Sequence, residues 1–385
     1  PELEHQLKDS GASAIVVLEN FAHTLQEVLA KNPTLNLAVI TTEVGDMFRV
    51  VKELVTNVVV KYVKHLVPAW KIAGATEFNA GLRAGRGQEV DDVPLNHDDV
   101  AFLQYTGGTT GVAKGAVLTH GNLIANVQQM AAWMARDLVN GKELFVCPLP
   151  LYHVYALTAN MVFMKIGSRI ELITNPRDLP AFVATLKKVP MTAMIGVNTL
   201  YSALLNAPGF AQLDLRGLKL ASAGGMAVQR AVAERWKQVT GTPLVEGYGL
   251  TETAPVVISN PLNIEDWTGN IGLPIPSTEA AVLDDDGRAL PIGEVGEICI
   301  RGPQVMKGYW QRPDETAKVF TSDGWFRTGD MGFMDAQGRF KITDRKKDMI
   351  IVSGFKVFPN ELEDVVMLHP GVLEVAAIGV PDERS

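Results

Sequence analysis

Residues 105–115 read Tyr105-Thr106-Gly107-Gly108-Thr109-Thr110-Gly111-Val112-Ala113-Lys114-Gly115. The run follows an apolar, strand-like segment, Ala101-Phe102-Leu103-Gln104-Tyr105, and precedes another, Ala116-Val117-Leu118, which predicts a tight loop between two strands. Its glycines let backbone N–H groups approach an anion, the threonine hydroxyls add hydrogen bonds, and Lys114 supplies a compact positive charge. That combination suits phosphate. It is not a Walker A loop, because Val112 stands where that pattern needs its second glycine and Lys114 is followed by Gly115, not Ser or Thr. A plain glycine-rich hairpin turn is the alternative reading of the same residues.

Outward from this loop the chain alternates strand and helix patterns. On the N-terminal side the pattern predicts strands over 14–18 and 35–40 with a helix over 21–30 between them. A long amphipathic helix over 47–67 and a polar, glycine-rich loop over 81–99 follow. On the C-terminal side, strands are expected over 170–173, 194–197 and 218–221, and helices over 178–188, 198–206 and 228–239. A βαβ rhythm of this kind implies a parallel sheet. After about residue 268 the texture turns to short strands with Gly and Asp turns, a mostly antiparallel β region. The charge run Asp344-Arg345-Lys346-Lys347-Asp348 reads as a linker into a small second domain, with a strand over 349–352, a helix over 360–368 and a strand over 375–380.

Composition narrows the class. The chain has 385 residues, 47% of them hydrophobic, which is enough for a large core and excludes a disordered tail or a disulfide-stapled mini-protein. With 43 acidic against 35 basic residues the net charge is −8, which argues against nucleic acid as a partner. Cys147 and Cys299 are the only cysteines and form no CxxC, consistent with buried thiols in a reducing, cytoplasmic compartment. The first residues are acidic and polar, unlike a signal peptide, and both ends read as cut. Two uncharged stretches, 144–164 and 189–213, are interrupted by Pro148, Pro150, Pro190 and Pro208, so buried strand–loop–helix units fit them better than membrane spans.

Two further motifs carry chemistry. In Glu246-Gly247-Tyr248-Gly249-Leu250-Thr251-Glu252-Thr253, Glu252 suits a hard cation such as Mg²⁺, Thr251 a phosphate oxygen, and Tyr248 offers a ring for stacking. In Thr328-Gly329-Asp330, an Asp after a glycine turn suits a ribose diol. Each alone is also read as an ordinary glycine turn or strand end.

Taken together and in this order, the three motifs and the 344–348 charge run resemble the adenylate-forming superfamily of acyl-CoA synthetases, luciferases and peptide-synthetase adenylation domains. Within it, Gly107 to Lys114, Glu246 to Thr253, and the charge run with Ser353-Gly354-Phe355 are most similar to bacterial long-chain fatty acid–CoA ligases. The resemblance covers essentially the whole chain. It implies an α/β fold, with a large domain (1–346) made of α/β subdomains (1–267) and a distorted β-barrel-like subdomain (268–346). A small α+β domain, cut short, would occupy 347–385. It also implies two half-reactions: a fatty acid and ATP give acyl-AMP and pyrophosphate, and CoA then gives acyl-CoA and AMP.

Position by position, the resemblance implies that Thr106 to Lys114 close over the β- and γ-phosphates. Thr251 would contact the α-phosphate and Glu252 hold Mg²⁺. Tyr248 would pack on adenine, with Gly224-Gly225 and Glu246 to Gly249 lining that pocket. Asp330 would bind the ribose and Arg345 support it, while Lys347 matches the hinge of the small domain. His153 matches a position near the acyl carboxylate, although a lone His is more often structural. Gly196-Val197-Asn198 and Tyr201 would line the acyl tunnel, and Ser353-Gly354-Phe355-Lys356 would face CoA. Family members carry more sequence at both ends, including a C-terminal lysine that orients carboxylate and α-phosphate; no lysine here takes that role, so this stretch is expected to adenylate poorly.

The basic face of the 47–67 helix has two readings. One is a helix packed on its domain with a solvated polar face. The other is peripheral contact with the anionic inner membrane, which suits an insoluble substrate. Rival functions are a ligase for medium-chain or aryl acids, or a non-catalytic nucleotide-binding, membrane-associated protein. Oligomeric state is left open, with a homodimer among the options.

Overall fold

The computed structural model describes residues 1–107, 112–352, 355–367, 369, 371–372 and 375–380. The chain divides into two compact units, Pro1–Leu95 with Tyr105–Gly115, and Asn96–Gln104 with Ala116–Ser385.

In the first unit α1 (Glu2–Ser10) is followed by β1 (Ala14–Leu18), α2 (Glu19–Lys31), β2 (Ala38–Thr42), α3 (Val50–Val58), β3 (Thr76–Glu77) and α4 (Phe78–Gly85). The three strands form a parallel sheet in the order β1-β2-β3. Ala22, Leu25 and Val28 recur every three residues on α2 and are all buried. Leu25 and Val28 meet Leu7 of α1 and Val39 of β2 in a small core. α4 occupies the start of the stretch expected to be a loop, and residues 86–99 carry no helix or strand.

Residues 47–67 depart from the packed reading. α3 continues as a π-helical turn, Val59–Val63, and no residue of either piece is buried. Val50 and Val51 are 80% and 76% exposed. The segment is held by its polar side instead. Asn57 Oδ1 accepts the Gly45 N–H at 2.7 Å, Asn79 Nδ2 donates to Glu53 Oε1 at 2.9 Å, and Lys61 Nζ pairs with Glu19 at 2.9 Å. Periodicity reveals that one face is apolar; it does not reveal which face the neighbours cover.

β4 (Val100–Thr106) and β5 (Lys114–Thr119) pair as a two-stranded sheet. The second unit then runs α5 (His120–Met134), β6 (Leu144–Cys147), α6 (Val154–Lys165), β7 (Arg169–Leu172), α7 (Leu179–Leu186), β8 (Ala193–Gly196), α8 (Asn198–Asn206), β9 (Leu220–Ala223), α9 (Arg230–Thr240) and β10 (Leu244–Gly249). With β11 (Val256–Ser259) and β12 (Leu273–Pro274) these strands make a sheet in the order β12-β11-β10-β9-β8-β6-β7. The five strands from β10 to β7 are parallel, and β11 and β12 are antiparallel additions at one edge.

Every residue of β6 and β8 is buried, as a parallel sheet covered on both faces requires. Alternate β6 residues serve opposite cores. Leu144 and Val146 face a core with Phe182 of α7, Tyr201 of α8 and Trp236 of α9. Phe145 and Cys147 face one with Met134 of α5 and Phe163 of α6. The Tyr201 and Trp236 rings meet edge to face at 4.6 Å, and Phe145 stacks on Phe163 at 3.9 Å. The two uncharged stretches are therefore β6–loop–α6 and β8–α8. No described helix is long and apolar enough to cross a membrane.

Beyond residue 275 the chain forms an antiparallel sheet, β13 (Glu279–Leu283), β14 (Gly296–Arg301), β15 (Phe326–Met334) and β16 (Phe340–Arg345), in that order, with α10 (Pro313–Val319) inserted. Val282, Ile298, Ile300 and Phe340 from this sheet share a core with Val257 and Ile258 of β11. β17 (Ile350–Val352), β18 (Phe355–Val357) and α11 (Pro359–Met367) complete the described elements. The charge run begins inside β16 instead of forming a free linker, because Asp344 and Arg345 are paired to β15. Residues 375–380 carry no strand.

One buried carboxyl ties the turn after β9 to β10. Glu246 is 8% exposed, and its Oε1 accepts the Val228 N–H at 3.1 Å. Burial pushes it up from 4.5 to about 7. A carboxyl with a raised folded-state value stabilises the fold fully below its unfolded value and loses that contribution as pH rises through 7. Urea titrations should show the parent losing on the order of 3 kcal/mol relative to Glu246→Gln between pH 4 and pH 8. A constant difference across that range would show that Glu246 does not titrate there.

Candidate active site

In the central sheet the chain passes from β6 outward to β7 and returns on the other side of β6 to β8. In doubly wound sheets ligands bind outside the carboxyl ends of the strands, where the winding reverses. Four of the predicted site segments sit there. Cys147 ends β6 and leads into 148–153; Gly196 ends β8; Ala223 ends β9 and leads into Gly224-Gly225; Glu246 to Gly249 end β10. Gly196 and Glu246 both lie beside Ala223 in the sheet.

The glycines are dictated by backbone crowding. A Cβ on Gly224 would stand 3.3 Å from the Gly247 carbonyl oxygen and from the Tyr155 ring, and Gly225 has φ +80°. A Cβ on Gly249 would overlap the Pro255 carbonyl. The Gly224 N–H also donates to the Gly196 carbonyl at 3.3 Å.

Tyr248, Asp330 and Arg345 come together. The Tyr248 hydroxyl donates to Asp330 Oδ2, and Arg345 Nε pairs with Oδ1 at 2.8 Å. Asp330 lies opposite Arg345 across the β15–β16 ladder and is 2% exposed. Burial raises its carboxyl above the usual range, with the Arg345 guanidinium opposing that rise. The turn before it is fixed from two sides: Thr328 Oγ1 accepts the Asp330 N–H at 3.1 Å and donates to the Ile298 carbonyl at 2.7 Å, and Glu297 Oε1 accepts the Gly329 N–H at 3.0 Å. Glu297 also pairs with Lys346 at 3.2 Å and Arg327 at 3.1 Å.

Thr251 and Glu252 lie in a 3₁₀ turn, Thr251–Thr253, capped by the Leu250 N–H donating to Thr253 Oγ1 at 3.0 Å. Glu252 Oε1 accepts a hydrogen bond from the Tyr309 hydroxyl at 2.7 Å. No group of three or more His, Cys, Asp or Glu side chains among the described residues forms a metal cage. A lone carboxylate is the donor set that suits Mg²⁺, which keeps its waters and takes substrate phosphates as its other ligands.

His153 caps α6: its Nδ1 accepts the Tyr155 N–H at 3.2 Å, which leaves the ring proton on Nε2 in the neutral form. Of the predicted acyl-lining residues, Gly196 and Val197 stand at the end of β8, but Asn198 and Tyr201 are committed to internal contacts. Asn198 Oδ1 accepts the Gln229 N–H at 3.1 Å, and the fully buried Tyr201 donates to the Ser222 carbonyl at 2.6 Å. Tyr155 also reaches Ser222, at 3.1 Å between their hydroxyls.

In the first unit, Thr106 closes β4 and Lys114 opens β5, while Gly108 to Gly111 lie outside the described residues. Both flanks of the loop are tied to α1: the Tyr105 hydroxyl donates to Asp9 at 2.7 Å, and His5 Nε2 lies 2.9 Å from the Ala113 carbonyl. Lys347 follows β16, with its Nζ 4.0 Å from Asp348. Ser353 and Gly354 lie outside the described residues; Phe355 and Lys356 begin β18.

Tyr155, Glu297 and Tyr309 were not singled out from sequence. Each acts through a partner at least 30 residues away, which local motif reading does not reach. The one available signal was Gly308 beside Tyr309, a glycine outside any turn pattern.

Comparison with known proteins matches residues 1–310 to a family described as AMP-binding enzyme. A long-chain-fatty-acid–CoA ligase of Escherichia coli O6:H1 is 55% identical over 385 residues, covering all of this chain and 68% of the relative. The anthranilate CoA ligase AuaEII in complex with anthranoyl-AMP is similar in structure, with TM-score 0.83 and 25% identity over 99% of this chain and 68% of that one. ATP-bound MatB from Rhodopseudomonas palustris is similar with TM-score 0.73 and 27% identity, over 99% of this chain and 79% of that one. The chain belongs to the AMP-binding enzyme family and has its adenylate-forming fold.

Proposed function

We propose that this protein is a long-chain fatty acid–CoA ligase that activates its substrate as an acyl-adenylate. The observation that carries the adenylate half is the Tyr248–Asp330–Arg345 cluster, an aromatic face beside a buried carboxylate at the carboxyl ends of the central strands. The 55% identity to a long-chain-fatty-acid–CoA ligase supports the acyl half.

In this reading the fatty acid carboxylate attacks the α-phosphorus of ATP and pyrophosphate leaves. The CoA thiol then attacks the acyl carbonyl and AMP leaves. Charge neutralisation and positioning dominate such chemistry. Asp330 accepts hydrogen bonds from the ribose hydroxyls, while the Arg345 guanidinium opposes the rise that burial imposes on its carboxyl. Tyr248 and the glycine backbones at Gly224, Gly225, Gly247 and Gly249 form the adenine slot, where a side chain on Gly249 would not fit and one on Gly224 would crowd Tyr155. Thr251 meets the α-phosphate, and Thr106 to Lys114 the β- and γ-phosphates. Glu252 holds Mg²⁺, which would neutralise phosphate charge when bound. His153, with its proton on Nε2, donates to the acyl carboxylate, and Gly196 and Val197 line the chain's entry. Lys347 serves as the hinge and Ser353 to Lys356 face CoA.

Asp330→Asn should weaken AMP binding about tenfold to a hundredfold by calorimetry, because it removes a charge-assisted acceptor from the ribose. Unchanged AMP affinity would remove Asp330 from the site. Given octanoate, laurate, palmitate and 4-coumarate, the full-length protein should turn over palmitate fastest. Faster turnover of coumarate would favour an aryl-acid ligase, in line with the anthranilate enzyme's likeness.

The exposed apolar side of 47–66, bordered by Arg49, Lys52, Lys64 and Lys71, supports peripheral contact with an anionic bilayer. Replacing Val51 and Leu54 together by Asp should abolish flotation with phosphatidylglycerol vesicles, and undiminished flotation would reject this face.

A further inference from the structure

We infer that Tyr309 is a positioning residue for the Glu252 carboxylate, holding one oxygen so that the other is presented to a divalent cation. This rests on the reading of Glu252 as the cation's protein ligand.

The geometry fixes Glu252 at both ends of the residue. Its Oε1 accepts the Tyr309 hydroxyl at 2.7 Å, and its backbone carbonyl accepts the Met306 N–H at 2.7 Å. Both donors come from one short stretch, 306–309, that is itself immobilised. The Tyr309 N–H donates to Thr316 Oγ1 at 2.9 Å, and Thr316 Oγ1 donates to the Arg312 carbonyl at 2.9 Å. Tyr309 forms an antiparallel bridge with Ala116, and the Gly308 carbonyl accepts the Val117 N–H at 2.9 Å. A Cβ on Gly308 would lie 2.6 Å from Thr316 Cγ2, so glycine is what lets Tyr309 approach α10. The Tyr309 ring is 8% exposed and packs with Leu118, Met306 and Phe326.

A phenol is protonated at neutral pH and donates one hydrogen bond. It therefore restricts the carboxylate's rotation without neutralising it. Among the described residues Oε2 takes part in no hydrogen bond or ion pair, so it is the oxygen left to face a cation. Partners of this kind, which orient a ligating carboxylate, typically affect metal affinity without touching the metal.

The test compares the parent, Tyr309→Phe and Glu252→Gln. Tyr309→Phe keeps the ring and removes the hydroxyl that donates to Glu252. Electron paramagnetic resonance would measure the free Mn²⁺ concentration that half-saturates the ATP-loaded protein, and calorimetry the affinity for metal-free AMP. The expected result is that Tyr309→Phe needs about tenfold more Mn²⁺ while its AMP affinity is unchanged. Parent-like Mn²⁺ affinity in Tyr309→Phe, with Glu252→Gln weakened, would overturn the positioning role alone. Equal weakening toward Mn²⁺ and AMP in Tyr309→Phe would also overturn it, in favour of a general packing role. Parent-like Mn²⁺ affinity in Glu252→Gln would overturn the metal-ligand reading and this inference with it.

Discussion

The carboxylate of Asp330 ties the parallel sheet to the antiparallel sheet. Tyr248 reaches it from β10, and Arg345 from β16, next to Asp330's own strand. A carboxylate this deeply buried is unfavourable unless both oxygens are satisfied. Neither sheet alone supplies both donors. The shared apolar core of β11 with β13 to β16 gives the two sheets area to pack over, and the Asp330 contacts fix their register. In the proposed reading the same atoms would meet the ribose, so one tie would order both the fold and the site.

Around that tie the molecule economises on side chains. At the carboxyl ends of β8 and β10, Gly196 and Gly249 cannot carry larger residues without collision with Tyr201 and Pro255, and Gly224 after β9 stands tight against Tyr155. Close main-chain packing at these strand ends leaves little room there for side chains.

Much of this was legible in the order of residues. The strand at 14–18 and the helix at 198–206 lie where the pattern placed them, and the short antiparallel strands follow after residue 268 as its texture implied. The motifs holding Tyr248 and Asp330 could be picked out because each carries glycines, and Arg345 because it sits in a dense charge run. What sequence could not supply was orientation. The 47–67 segment has the helical period, yet its apolar side faces outward and Asn57, Glu53 and Lys61 face in. The strand expected at 375–380 has the right composition but gains no ladder partner. Tyr309 escaped notice since its meaning depends on a partner 57 positions away.

The junction after β16 has a mechanical consequence. Arg345 is clamped to Asp330, and Lys346 is held by Asp285 at 2.7 Å and Glu297 at 3.2 Å, with its own N–H on the Gly329 carbonyl at 2.9 Å. These contacts act as a bearing housing. A rotation of the following segment about Lys347 would turn against a fixed mount, and the torque would be absorbed by Glu297 and Asp285. The geometry around Asp330 would then stay constant whichever way that segment turned.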